Sequence, residues 1–209
     1  MTILDFLDNR EKGALLEVGS YAGVFLNTAK QCGWDVLGIE PQSIPRLYSE
    51  GKYGLKILPT TFEDSDITEN SIDVVIALHV IEHVHDPKSF VQKANILLKK
   101  NGILILETPT YDSASFRILK HRERSVRVDG HIYFFTERTL RSLVEKCGFH
   151  VLKYGTVGRT LGLDRLSTNL GIVTNKTKLF EGISLMFNLK KFIIHINLHD
   201  MQRIYCEKI

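Results

Sequence analysis

This sequence has little cysteine: Cys32, Cys147 and Cys206 are the only three in 209 residues. An odd and widely spaced set suits a reducing compartment better than a disulfide framework, so a cytoplasmic location is expected. Long apolar runs are missing as well. No stretch of about 18 uninterrupted apolar residues occurs, and no segment is expected to span a membrane. The opening stretch, MTILDFLDNREKGALLEV, has no basic start followed by an apolar run, which argues against a signal peptide. Strong charge is absent too. A formal net charge of +3 does not by itself predict nucleic-acid binding. What remains is an ordinary globular composition, 44% hydrophobic and 24% charged, long enough to close a core without staples.

Short apolar runs alternate with helical patterns along the chain. Ala14–Val18, Val36–Ile39, Leu55–Leu58, Ile72–Leu78 and Ile103–Leu106 read as strands covered on both faces. Asp86-Pro87 opens a helix with an N-cap and a first-turn proline; the pattern KSFVQKANILLKKNG predicts that it ends at Gly102 with lysines in its last turn. AKQCGWDVLG (29–38) and VEKCGFHVLK (144–153) echo each other. Each reads as a helix ending at a cysteine, a left-handed glycine (Gly33, Gly148), then a strand. Repeated strand–helix–strand units predict an α/β fold with a mostly parallel, doubly wound sheet. Ligands on such sheets sit beyond the carboxyl ends of the strands, so those positions are the ones to read for function.

The first strand is followed by Gly19 and Gly23 in LLEVGSYAGVFL, and the second ends in GIEP with Glu40, 21 residues past Gly19. A glycine turn lets backbone approach a ligand, and an acid at the second strand end can accept ribose hydroxyls. The dinucleotide fingerprint Gly-x-Gly-x-x-Gly fails at Tyr21 and Val24.

The fourth strand ends in LHVIEHV, which contains the His79-x-x-Glu82-His83 spacing of a zinc peptidase family. That reading needs a helix through about 76–86, with His79 and His83 on the metal and Glu82 as base. The β-rich IDVVIAL before it and Pro87 after it argue for a strand and a loop instead.

The four segments LLEVGSYAGVFL, GIEP, IDVVIALHVIEHVHDPKSF and GILILETP, in this order over about residues 13 to 154, resemble the class I S-adenosylmethionine-dependent methyltransferases, in the branch that acts on small molecules. The resemblance implies a Rossmann-like seven-stranded sheet with one antiparallel strand and S-adenosylmethionine as cofactor. It implies that Glu17, Gly19, Ser20, Tyr21 and Gly23 line the methionine end, that Glu40 with Pro41 holds the ribose, and that Thr61, Phe62 and Glu63 lie near adenine. Leu78 and His79 would border the same pocket. Tyr21 stands where the family usually has glycine, and must turn away from the methionyl group or cover it. Phe62 reads equally as a core aromatic.

On that resemblance, His79 and His131 are the candidate catalytic residues, His79 either moving a proton or shaping the pocket, and no metal is expected. The Asp/Asn-Pro-Pro-aromatic motif of methylases acting on nucleic-acid amines is absent, and no nucleic-acid partner is expected. Methyl transfer to a small or lipid- or carrier-linked molecule, at oxygen, is the leading reading. A non-catalytic methyltransferase-like subunit and a zinc hydrolase are the alternatives.

Two regions stand apart. LKHRERSVR places Lys120, His121, Arg122, Arg124 and Arg127 together, a candidate receiver of an anionic substrate. About 48 residues (155–202) separate the sixth strand, near His150–Tyr154, from the last, RIYCEKI, within what reads as one domain over 1–209. TKLFEGISLMFNLKKFIIHIN has helical spacing, with Leu179, Phe180, Ile183, Met186, Phe187 and Ile194 on one stripe. A helical cap over the substrate mouth, a homodimer surface or a peripheral membrane contact through 178–198 is expected.

Overall fold

The strands form where the sequence is apolar on both faces. In the computed structural model, β1 (Ala14–Val18), β2 (Asp35–Ile39), β3 (Ile57–Leu58), β4 (Ile72–Leu78), β5 (Leu98–Pro109), β6 (Phe149–Thr156) and β9 (Met201–Lys208) make one sheet in the order β3-β2-β1-β4-β5-β9-β6. The structure describes residues 2–113, 116–117, 130–174, 176–186, 193–197 and 199–209. The five strands from β3 to β5 run parallel, and β9 runs antiparallel to both β5 and β6. Strand order reverses between β1 and β4, which places a ligand crevice beyond their carboxyl ends.

Alternation within the central strands feeds two cores. Val75 and Ala77 of β4 join Leu104 and Leu106 of β5 on one face, whereas Val74 and Ile76 join Ile103 and Ile105 on the other. All eight are at most 1% exposed. Each fully buried aliphatic side chain of this size contributes roughly 1.5–3 kcal/mol, so β4 and β5 anchor the sheet.

The helices bounded among the described residues are α1 (Ile3–Leu7), α2 (Val24–Gln31), α3 (Ser43–Tyr53), α4 (Pro87–Leu97), α5 (Glu137–Lys146), α6 (Leu163–Thr174) and α7 (Thr177–Met186). Asp86 caps α4 as its sequence predicts, accepting the Lys88 and Ser89 amides at 2.9 and 3.2 Å. Thr136 caps α5 reciprocally with Thr139. The echoed joints hold: α2 and α5 end at Cys32 and Cys147, followed by Gly33 at φ 90° and Gly148 at φ 83°. Burial pushes the Cys206 thiol up to about 12, in keeping with a packing role.

Three expectations are corrected. Helix α4 ends at Leu97 and not at Gly102. Leu98 is fully buried and pairs with Ile72 across the sheet, Lys99 reaches Asp73 at 2.7 Å, and Asn101 turns the chain at φ 61°. Helix α1 was not expected; Thr2 and Asp5 form its capping box. Helical spacing over 178–198 also overreaches. Helix α7 is described over Thr177–Met186, and beyond it β8 (Ile193–Ile196) is a strand that pairs antiparallel with β7 (Arg159–Gly162). Three β-branched isoleucines in four residues favour the extended form once a partner strand is available. Among the described residues the insertion contains two helices and a two-stranded ribbon, and β9 begins at Met201, before Arg203. Phe187 of the expected stripe lies outside the described residues, as does the basic segment 119–127.

Candidate functional site

The turn after β1 lies over the end of β2. The amides of Gly19 and Ser20 both donate to the Ile39 carbonyl, at 2.9 and 3.0 Å, and Gly23 N donates to Ser20 O at 2.8 Å. Gly19 and Gly23 both sit at φ +70°, and a Cβ on either would come within 2.7 Å of packed side chains, Val80 in one case and Leu55 with Ser49 in the other. Tyr21 adopts φ 46° without being glycine, and it is 64% exposed. Its ring is open to solvent on the rim of the turn.

Two carboxylates meet this turn. Glu40 is buried and accepts the Tyr21 amide on Oε2 and the Gln42 amide on Oε1, each at 2.9 Å. A carboxylate oxygen can accept two hydrogen bonds, so both retain capacity for ligand hydroxyls. Glu17 is buried behind the turn, and its Oε2 has no hydrogen-bond partner. Burial pushes its carboxyl up to about 8, with a backbone hydrogen bond at Leu26 opposing. Ser20 is buried and its hydroxyl also has no partner. Pro41 is exposed beside Glu40.

At the third strand end the packing favours the core reading of Phe62. Phe62 is 3% exposed and packs on Phe90 with ring centroids 4.7 Å apart, so its ring belongs to the core and offers no free face. The Thr61 hydroxyl binds Asp64, and the Glu63 carbonyl accepts from Lys93.

Beyond β4 the chain turns and does not form a helix. His79 sits at φ 57°, and His83 N donates to the Val80 carbonyl at 2.9 Å in a tight turn. The two imidazoles are therefore not stacked on a helix face, as a zinc peptidase needs. His79 Nδ1 lies 3.6 Å from Glu82 Oε1, and its Nε2 lies 3.4 Å from Glu107 Oε1. The attraction of Glu107, then of Glu82, outweighs burial and raises the His79 pKa to about 9. Burial pushes the Glu107 carboxyl up, but His79 and Arg203 more than offset this and hold it below its ordinary value. Arg203 Nε donates to Glu107 Oε2 at 2.7 Å and Nη1 to the Tyr205 hydroxyl at 3.2 Å.

His131 and His79 both approach the Glu82 carboxylate. The His131 ring packs edge-on to His83, centroids 4.6 Å apart, while Glu82 lies between the two histidine groups. Glu107 and Arg203 were missed in the sequence. Glu107 could have been found by reading every strand end, because it directly follows the run Ile103–Leu106. Arg203 arrives from a strand 96 residues away, and no local pattern announces it.

A cavity of about 690 Å³ opens next to this network. Leu78, Phe25 and Tyr205 give it apolar walls, Arg203 and Lys153 polar ones, and α1 closes one side with Thr2 to Leu4.

Comparison with known proteins agrees with this layout. A family model described as "Methyltransferase domain" matches residues 2–154. The chain is 34% identical over 108 residues to a ubiquinone biosynthesis O-methyltransferase of Cereibacter sphaeroides, covering 49% of this chain and 43% of that one. The chain spans about half the length of the curated relatives it matches. Among solved structures, a SAM-dependent methyltransferase of Archaeoglobus fulgidus superposes with a TM-score of 0.67 at 17% identity, covering 98% of this chain and 91% of that one. One from Thermotoga maritima, described as a possible histamine N-methyltransferase, gives 0.64 at 22%, covering 98% and 86%. These two likenesses concern the fold.

Proposed function

This chain belongs to the methyltransferase-domain family, and we propose that it moves the methyl group of S-adenosylmethionine to a small or carrier-linked acceptor, at oxygen. The observation that carries the reading is the pair of buried acids at one glycine turn: Glu17 with an unmatched oxygen, and Glu40 aimed at the Tyr21 amide. Such a pair suits a ligand with an ammonium group at one end and a ribose at the other. Glu17 and Ser20 would face the amino-acid end, Glu40 the ribose, and Gly19 and Gly23 the close backbone approach. Leu78 would border the cofactor on the side of the cavity. When bound, the sulfonium supplies an electrophilic methyl group.

The protein's part is then alignment and exclusion of water. The cavity holds the acceptor against Leu78, and Arg203, fixed by Glu107, orients its polar end. His79 has both ring nitrogens facing carboxylates, so we assign it to shaping the pocket and not to taking a proton. Thr61 and Glu63 border the adenine side in this reading through their turn, without stacking from Phe62. Tyr21 is 64% exposed, and in this reading its ring makes no contact with the donor.

Oxygen as the acceptor atom rests on the name of the curated relatives, O-methyltransferases. Among the described residues no helix is long and apolar enough to cross a bilayer. The reaction belongs in the cytoplasm in our reading, which the free cysteines support. The exposed Leu179, Leu185 and Met186 of α7 form the face where a lipid surface or a second copy of the chain would attach. Liposome flotation and light scattering separate the two. The test of the reaction is transfer of labelled methyl from S-adenosylmethionine to matched phenols and amines. Labelled ethers support the proposal; label on amines alone contradicts the choice of oxygen.

A further inference from the structure

The His79-x-x-Glu82-His83 segment leaves a constellation that the proposed reaction has not used. Glu82, His83 and His131 each bring one potential ligand atom within 4.8 Å of the others. We propose that these three residues form a site for a divalent transition-metal ion at the carboxyl end of β4.

Four observations carry the assignment. Glu82 is fully buried; its Oε2 accepts the Thr108 hydroxyl at 2.9 Å, while Oε1 has no hydrogen-bond partner. That oxygen faces the His79 imidazole at 3.6 Å, beyond hydrogen-bond reach, and so keeps lone-pair capacity for a metal ion. His83 Nδ1 lies 2.9 Å from the Gly130 carbonyl. A carbonyl only accepts, so Nδ1 carries the proton and Nε2 keeps its lone pair. Metal-binding histidines are oriented in this way by a backbone carbonyl on the other nitrogen. Gly130 sits at φ +92°, and a Cβ there would stand 3.3 Å from His83 Nδ1. Finally, the Glu82 carbonyl accepts the amides of both Ile132 and Tyr133, at 2.8 and 3.1 Å, which binds the His131 segment to the Glu82 turn.

Two imidazoles and one carboxylate select a borderline ion such as Zn²⁺, Co²⁺ or Mn²⁺ over Ca²⁺ or Mg²⁺. Ligand bonds near 2.1 Å require the three side chains to close by about an ångström, and the exposed His83 can supply that movement. Three protein ligands leave at least one coordination position open, as in catalytic sites. Given the methyl-transfer reading above, on which this role rests, that position takes an oxygen of the acceptor. A bound ion would supply Lewis acidity toward that oxygen, easing loss of its proton to solvent. No protein base is required, consistent with the engagement of His79 by two carboxylates.

The site is tested with Co²⁺ alone as probe, on the full chain treated with chelator and dialysed. Visible absorption should rise to saturation at one equivalent. In His131→Ala and Glu82→Gln the Co²⁺ affinity should fall by at least about tenfold. Circular dichroism checks folding; if Glu82→Gln fails to fold, His131→Ala decides, because His131 is not buried. S-adenosylhomocysteine is titrated into the same samples. Stoichiometric Co²⁺ binding that His131→Ala weakens supports the site whether or not the nucleotide binds. Nucleotide binding without stoichiometric Co²⁺, or Co²⁺ binding unchanged in His131→Ala, overturns the metal site and leaves the methyltransferase reading standing.

Discussion

Glu17 is a carboxyl group that burial keeps protonated into the neutral range, its pKa raised from 4.5 to about 8. The folded chain holds a proton that the unfolded chain releases above its lower pKa. The resulting stabilisation is complete below pH 4.5 and is lost as pH rises through 8. Urea unfolding at pH 5 and pH 8.5 should therefore show a loss on the order of a few kcal/mol that is absent in Glu17→Gln. Equal pH dependence in the two proteins would contradict the burial argument. Tyr21 makes the opposite kind of prediction. Its left-handed backbone costs about 1–2 kcal/mol in a residue with a Cβ, and its ring is exposed. Tyr21→Gly should leave S-adenosylhomocysteine affinity within about a factor of two by calorimetry, because relief of strain and added chain entropy nearly cancel. A tenfold loss would show that the ring takes part in binding.

At the scale of elements, β4 both builds the core and aims the site. Ile76 is fully buried between β1 and β5, and Ile76→Ala should cost about 2–5 kcal/mol in urea unfolding. Asp86→Ala removes two amide partners from the start of α4 and should cost about 1 kcal/mol. The central strands were legible because both of their faces are apolar, which leaves few alternatives to a covered parallel sheet. The capped start of α4 was legible for a local reason: a side chain two or three residues away satisfies the first amides. Helix ends decided by tertiary pairing were not. Nothing within KKNG says that Leu98 will leave the helix to pair with Ile72. The same limit hid β8, whose isoleucines suit a helix stripe until β7 lies beside them. Phe62 could not be placed either, because its choice of Phe90 over a ligand depends on packing from α4.

Over the whole molecule, the switch between β1 and β4 gathers Glu17, Glu40, Leu78 and His79 from segments spread over 63 positions of the chain. Strand-end reasoning anticipated that gathering. It did not anticipate the second layer, in which Glu107 and Arg203 clamp His79 across β5 and β9, because the pairing register exists only in the folded sheet. The central claim is that the glycine turn with its two buried acids holds the methyl donor. It is tested most directly by calorimetric titration of S-adenosylhomocysteine into the wild-type chain and Glu40→Ala. The account predicts a one-site isotherm for the wild type and an affinity lower by at least about tenfold in the variant, the loss of charge-assisted hydrogen bonds to the ribose. Absence of binding to the wild type, or equal binding by both proteins, would contradict it.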